Sequence, residues 1–212
     1  MTPPSIPSVV RQLSGNDDPQ WVWRNERGGL TFRAGNRFVK WSPDATGLDF
    51  EVERLRLEWA IRWHSVPRVL DWGADDEAQW MVTAALAGES AVAEAWLARP
   101  VEAAGAIGQG LRMLHDTLRV ADCPFDWSVQ TRTGHRIPVE HLCMPPIDRL
   151  MVCHGDACSP NTIITPDGSP VHVDLGSLGV ADCWADLAVA SMNLDYNFGP
   201  NWQDEFFKLF NI

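Results

Sequence analysis

The chain is 212 residues long and 45% hydrophobic, enough for one large domain or two small lobes that fold without staples. With 17 Lys and Arg against 28 Asp and Glu, its net charge of −11 repels phosphate backbones and argues against nucleic acid as a partner. The same charge would steer cationic ligands inward, although solubility alone also accounts for an acidic balance.

The five cysteines, Cys123, Cys143, Cys153, Cys158 and Cys183, are odd in number and form no Cys-x-x-Cys pair, which argues against a disulfide framework or a zinc clip and for free thiols. Residues 1–13 carry two adjacent prolines and no apolar run of signal-peptide length. Nowhere does an uninterrupted apolar stretch approach the roughly 20 residues that a membrane span needs. A soluble, cytoplasmic protein with no membrane partner is expected.

Along the chain, residues 20–24, 30–33 and 37–41 read as short strands separated by Arg27-Gly28-Gly29 and Ala34-Gly35-Asn36, the punctuation of an antiparallel sheet. Residues 49–64 change to helical spacing, with Val52, Leu55 and Trp59 on one line and Leu57, Ala60 and Ile61 beside it, until Val66-Pro67 ends the helix. Two further strands, 69–72 and 79–83, flank the acidic turn at 73–76, and 84–88 is a small-residue segment suited to a hinge.

Beyond the hinge the periods turn helical. Ala104, Ile107, Leu111, Leu114 and Leu118 mark one amphipathic helix, and Trp184, Leu187, Ala188, Ser191 and Met192 another. Between them, residues 122–149 hold four prolines and little periodicity, as a long and functional surface connection would. Residues 151–154 read as a strand end, and 162–165 with 171–174 as a hairpin around Pro166-Asp167-Gly168.

The chemistry concentrates in His154-Gly155-Asp156-Ala157-Cys158-Ser159-Pro160-Asn161, followed thirteen residues later by Asp174-Leu175-Gly176. This is the order and spacing of a kinase catalytic loop: an Asp five residues before an Asn, then a second Asp before a glycine. Phosphoryl transfer is mostly positioning and charge neutralisation, so Mg2+ needs hard oxygen ligands, which Asn161 and Asp174 supply. Asp156, at the tip of a loop, suits the carboxylate that takes the proton of an attacking hydroxyl. His154 fits a structural hydrogen-bonding role better than that of a base, and neither Cys153 nor Cys158 has an obvious base to make it a nucleophile. Asp186 either reaches back to the loop backbone around His154 or is a first-turn carboxylate favoured by the helix dipole.

Upstream, Lys40 sits in the apolar run Phe38-Val39-Lys40-Trp41, where an unpaired ammonium is costly. Glu53 on the following helix is its best candidate partner, with Glu51 and Glu58 as alternatives; a Lys–Glu pair positions nucleotide phosphates in kinases. Gly28-Gly29 reads as a hairpin turn in preference to a phosphate cradle.

With these residues in hand, the chain resembles the aminoglycoside phosphotransferases, especially the 3'-phosphotransferases that act on kanamycin and neomycin. The phrases that carry the resemblance are Val66-Pro67-Arg68-Val69-Leu70, Asp122-Cys123-Pro124-Phe125, Val152 through Asn161, and Val173-Asp174-Leu175-Gly176 leading into Gly179-Val180-Ala181-Asp182. It implies an α+β, protein-kinase-like two-lobed fold, with a strand-rich nucleotide-binding lobe over 1–86 and a mainly helical catalytic and substrate lobe over 87–212. It also implies ATP and Mg2+ as cofactors, Asp156 as proton acceptor, Asn161 and Asp174 as metal ligands, Lys40 and Glu53 as the phosphate pair, and backbone groups of Ala84 and Leu86 against adenine. The substrates it implies are polycations, to which Asp182, Asp186, Asp195, Asp204 and Glu205 would offer charge, Asp195 foremost.

Three departures stand out: Ser177 where some relatives carry arginine, a shorter connection before the catalytic loop, and an end at Ile212 where relatives continue into a further helical segment. A C-terminally truncated chain is thus one reading. Two alternatives stay open: a kinase of the same fold for another small hydroxyl compound, and an inactive nucleotide-binding relative.

Overall fold

Glycine-punctuated runs of β-branched and aromatic residues have one economical solution, an antiparallel sheet, and the computed structural model shows it. The structure describes residues 4–44, 47–134 and 146–210, with the side chains of 203–205 outside that set. Strands β1 (Gln20–Arg24), β2 (Leu30–Ala34), β3 (Arg37–Pro43), β4 (Val69–Ala74) and β5 (Ala78–Ala84) form a five-stranded sheet in the order β1-β2-β3-β5-β4. The β1–β2 turn spends its amides internally: Gly28 N–H donates to the Asn25 carbonyl at 3.0 Å and Gly29 N–H to Asn25 Oδ1 at 2.8 Å. It is a hairpin turn, not a phosphate cradle.

Helix α1 (Ser8–Ser14), which lacks a sequence-level start signal, seals the sheet with Val10 against Leu30, Phe32, Val39 and Val82. Helix α2 (Phe50–Ala60) begins where Asp49 accepts from the Val52 amide at 3.1 Å, an N-cap worth about 1 kcal/mol. Gln79 of β5 holds the same end, accepting from the Phe50 N–H and donating to the Leu48 carbonyl. The helix stops at Ala60, short of the expected His64, because residues 61–64 leave the helical path as His64 turns into a different packing environment.

Contacts divide the chain into two compact units, Met1–Ile61 with Pro67–Leu86, and Arg62–Val66 with Ala87–Ile212. The five residues 62–66 belong to the second unit for a physical reason. His64 is buried, its Nδ1 lies 3.1 Å from Thr117 Oγ1, and its ring stacks on His172 at 5.7 Å.

After the short helix α3 (Glu94–Leu97), the second unit is built on α4 (Pro100–Thr117), whose Ala103, Ala104, Ile107 and Leu111 pack against Leu187, Ala190 and Leu194 of α6 (Trp184–Phe198) and against Phe206 of α7 (Gln203–Lys208). The expected stripe of Ala104, Ile107, Leu111, Leu114 and Leu118 is buried throughout. Two small sheets flank this core. β7 (Leu150–Cys153) pairs antiparallel with β10 (Gly179–Asp182), and β8 (Thr162–Ile164) pairs with both β6 (Glu89–Ser90) and β9 (Pro170–His172).

Two sequence expectations change here. The connection at 122–149 is not featureless: Phe125 and Trp127 bond to Val180 on either side of a parallel bridge from Asp126, and Val129–Arg132 forms a short helix α5, while 135–145 lie outside the described residues. The strand expected at 171–174 ends at His172, because Asp174 has φ 66° and leaves extended geometry. Among the described residues, no helix is long and apolar enough to cross a membrane. Cys153, Cys158 and Cys183 are free thiols; Cys143 lies outside the described residues.

Candidate active site

The candidate catalytic loop begins where β7 ends, and its shape follows from one buried carboxylate. Asp186, in the first turn of α6 and fully buried, accepts from the His154 amide at 2.7 Å and the Gly155 amide at 2.9 Å, while His115 Nε2 lies 2.9 Å away. Burial alone would raise its pKa, but the hydrogen bond and charge of His115, with help from His154 and the Gly155 amide, outweigh that and hold the carboxyl below its ordinary value. Asp186 therefore reaches back to the loop, as one sequence reading had it, and is no ligand for a cationic substrate.

Gly155 is required by its surroundings: its φ is 82°, and a Cβ there would sit 2.1 Å from the Ser177 carbonyl oxygen. His154 is structural. Its Nδ1 accepts from the Asp156 N–H at 3.2 Å and its Nε2 donates to the Val173 carbonyl at 2.9 Å, which ties the loop to the segment that carries Asp174.

Asp156 is exposed at the loop tip. Asn161 Nδ2 donates both to its carbonyl oxygen at 3.0 Å and to its Oδ2 at 3.1 Å. With the amide nitrogen spent on Asp156, the Asn161 side-chain oxygen is the end left for a cation. Asp174 follows at once, since Val173 N–H donates to the Asn161 carbonyl at 3.0 Å, and its carboxylate is exposed on a left-handed backbone that few non-glycine residues adopt. An amide oxygen and a carboxylate are the hard donors that suit Mg2+.

In the first unit, Lys40 Nζ meets Glu53 Oε1 at 2.7 Å and Oε2 at 2.9 Å. Of the alternative partners, Glu58 pairs with Arg54 at 2.7 Å and Glu51 lies 3.7 Å from it. Ala84 is the last residue of β5 and Leu86 lies two residues beyond it. Ala84 N–H donates to the Arg68 carbonyl and Ala85 N–H to the Asn36 carbonyl, each at 2.8 Å, so of Ala84's two backbone groups the carbonyl is the one not spent in that bond.

The expected acidic surface shrinks. Asp182 accepts from the Asp148 amide at 2.6 Å and caps α6 through the Trp184 amide at 2.9 Å, while the side chains of Asp204 and Glu205 lie outside the described residues. Asp195 remains, half-buried on α6.

The roles of three residues escaped the sequence reading. His115 carries a signal in retrospect, a histidine on the buried stripe of α4 between Leu111 and Leu118. Cys158 and Asn193 carry none: the Cys158 thiol donates to Asp156 Oδ1 at 2.9 Å and accepts from Asn193 Nδ2 at 3.3 Å, across a separation of 35 residues. Burial and the hydrogen bond to Asp156 push the Cys158 thiol up to about 12, which removes it as a nucleophile. His115, Cys153 and Asp186 hold possible metal ligand atoms within 4.8 Å of one another. The carboxylate is spent on amides and on His115, however, and burial, with Asp186 nearby, pushes the Cys153 thiol strongly upward, so the trio is a packed polar core.

Behind the loop, burial lowers His64 to about 4 and His172 well below the ordinary histidine value, with the charge of His154 adding to each. Both rings are neutral in the fold and bind protons in the unfolded chain below about pH 6.5. Their stabilisation is complete above that pH and is lost as pH falls toward about 4. Thermal melts at pH 7.5 and 5.0 should show a clear fall in Tm, and His64→Gln should flatten it; an unchanged pH response in that variant would contradict the assignment.

A strand-rich unit with a part-buried Lys–Glu pair, and a helical unit with Asp156, Asn161 and Asp174 on one loop and hairpin, define a kinase-like α+β phosphotransferase fold. The comparisons agree. The family model described as a phosphotransferase enzyme family matches residues 140–211. An aminoglycoside 3'-phosphotransferase of Streptomyces fradiae is 32% identical over 235 positions, covering 95% of this chain and 83% of that protein. A streptomycin 3''-kinase of Streptomyces griseus is 32% identical over 247 positions, covering 95% and 86%. Among solved structures, the phosphotransferase APH(3'')-Id of Streptomyces rimosus in complex with ADP and streptomycin superposes with a TM-score of 0.67 at 26% identity, covering 95% of this chain and 89% of that one. The chain belongs to the aminoglycoside phosphotransferase family.

Proposed function

We propose that the protein is an ATP-dependent aminoglycoside O-phosphotransferase that modifies the 3'-hydroxyl of kanamycin- and neomycin-type antibiotics and thereby confers resistance. The observation that carries this reading is the exposed Asp156 carboxylate, gripped at Oδ2 by Asn161, on a loop tied by His154 to the segment bearing Asp174. In this reading Asp156 accepts the proton of the substrate hydroxyl and aligns its oxygen with the terminal phosphorus of ATP. The new P–O bond forms as the bond to ADP breaks, and ADP leaves.

Asn161, through its side-chain oxygen, and Asp174 would hold Mg2+, which when bound neutralises charge on the phosphate oxygens. Lys40, fixed by Glu53, presents its ammonium to the nucleotide phosphates. The Ala84 carbonyl and Leu86 backbone serve adenine. Asp195 contributes charge for substrate ammonium groups. ATP dependence and free thiols favour the cytoplasm, and residues 1–86 and 87–212 are the nucleotide and substrate lobes of this reading.

A second reading, streptomycin as acceptor, is favoured by the Streptomyces griseus relative and by the complex with ADP and streptomycin. Incubation with ATP, Mg2+ and kanamycin, neomycin or streptomycin in turn, followed by phosphorus NMR of the product, separates the two. A phosphate monoester on the 3'-hydroxyl of kanamycin supports the first reading. Phosphorylation of streptomycin alone supports the second.

A further inference from the structure

The contacts around Asp156 are asymmetric in a way that the kinase pattern does not require. One oxygen, Oδ2, takes the Asn161 amide, a member of that pattern. The other, Oδ1, takes the Cys158 thiol at 2.9 Å. The thiol is itself oriented, because Asn193 Nδ2 donates to its sulfur at 3.3 Å, and Asn193 is braced in turn by Asn197, whose Nδ2 donates to the Asn193 carbonyl at 2.8 Å and its Oδ1 at 3.4 Å. A chain of donors thus runs from one face of α6 to the catalytic carboxylate.

We propose that Cys158 and Asn193 are positioning residues that hold the Asp156 carboxylate in the rotamer from which it accepts the substrate proton. The proposal rests on the phosphotransferase reading above. Its physical content lies in the strength of the donor. An exposed loop carboxylate with only Asn161 on one oxygen is free to rotate about its terminal bond, and a second donor on Oδ1 removes that freedom. A thiol is a weak donor, so it orients the carboxylate while withdrawing little of its capacity to take a proton. A hydroxyl at the same place would orient as well but donate more strongly. Asn193 fixes which way the thiol points by occupying the sulfur as acceptor, so the thiol hydrogen is directed at Asp156.

The test uses the full chain with ATP, Mg2+ and whichever aminoglycoside the wild type turns over. Cys158→Ala should lower kcat roughly ten-fold, the scale on which modest misplacement of a reacting group acts, with KM for both substrates within about two-fold of wild type. Cys158→Ser should recover most of that loss, and Asn193→Ala should reproduce part of it; thermal melts check that each variant is folded. A merely structural cysteine would not give this split between kcat and KM with rescue by serine. A wild-type kcat in folded Cys158→Ala overturns the proposal.

A second measurement does not depend on turnover. The infrared S–H stretch lies in a region clear of other protein bands, and the band missing in Cys158→Ala belongs to Cys158. In Asp156→Ala that band should move to higher frequency as its acceptor is lost; an unmoved band overturns the proposal. If wild type phosphorylates no aminoglycoside, the functional reading fails, and the band still decides whether the thiol holds Asp156.

Discussion

Replacing Asp186 with alanine should cost about 3–5 kcal/mol of folding stability, the scale for leaving several buried donors without an acceptor at about 1–3 kcal/mol each, and should abolish turnover in whatever fraction remains folded. The carboxylate is fully buried and receives two backbone amides, from His154 and Gly155, besides the His115 ring. Without it, three donors are left in a dry interior, and the loop that aims Asp156 loses its only described anchor to α6 at that turn. Asp186→Asn should be intermediate in stability, since its amide keeps one acceptor oxygen but turns an NH2 group toward donors. Urea denaturation followed by tryptophan fluorescence measures both. A wild-type midpoint for Asp186→Ala would show that the anchor is dispensable. Because the Asp186 pKa is depressed in the fold, its stabilisation is present above the ordinary carboxyl pKa and disappears as pH falls through the lowered value, at more acidic pH than the loss from His64 and His172.

The second large effect concerns Asp174. Asp174→Asn should reduce kcat by roughly 10²–10³-fold, the scale for removing one charge-stabilising group, and should raise the Mg2+ concentration needed for residual activity. Asparagine is the informative substitution, because it tolerates the left-handed backbone that Asp174 adopts at φ 66° and removes only the charge. Asp174→Ala adds a backbone penalty of about 1–2 kcal/mol and should lose stability as well. Magnesium titrations of ADP release, with melts of both variants, separate the two contributions. Equal stability of Asn and Ala variants would show that the backbone is not strained there.

Much of the candidate site was legible in the sequence because kinase chemistry constrains residue types at fixed spacing. The intervals from Asp156 to Asn161 and on to Asp174 are set by a loop and a short hairpin, and both are local. Lys40 and Glu53 were legible for a different reason. An ammonium inside an apolar strand demands a counter-charge, and the next helix offers few that face inward; the structure narrowed three glutamates to one by giving Arg54 to Glu58 and placing Glu51 beside it.

What escaped depends on contacts between distant segments or on backbone geometry. Strand β10 has only four residues and is recognisable only through its register with β7. The 35 residues between Cys158 and Asn193 conceal their contact. The left-handed turn at Asp174 interrupts what reads as a strand, because alternation in the sequence does not report φ. The acidic C-terminal stretch misled in the opposite sense: Asp182 and Asp186 are spent on backbone amides, and charge counted along a chain does not say which carboxylates face solvent.

The most direct test is ADP release by the purified chain with ATP and Mg2+, measured with and without kanamycin or streptomycin, for wild type and Asp156→Ala. Aminoglycoside-dependent release in wild type that is lost in Asp156→Ala is the predicted result. Release that persists unchanged in Asp156→Ala, or its absence with every aminoglycoside despite measurable ATP binding, would contradict an aminoglycoside phosphotransferase acting through Asp156.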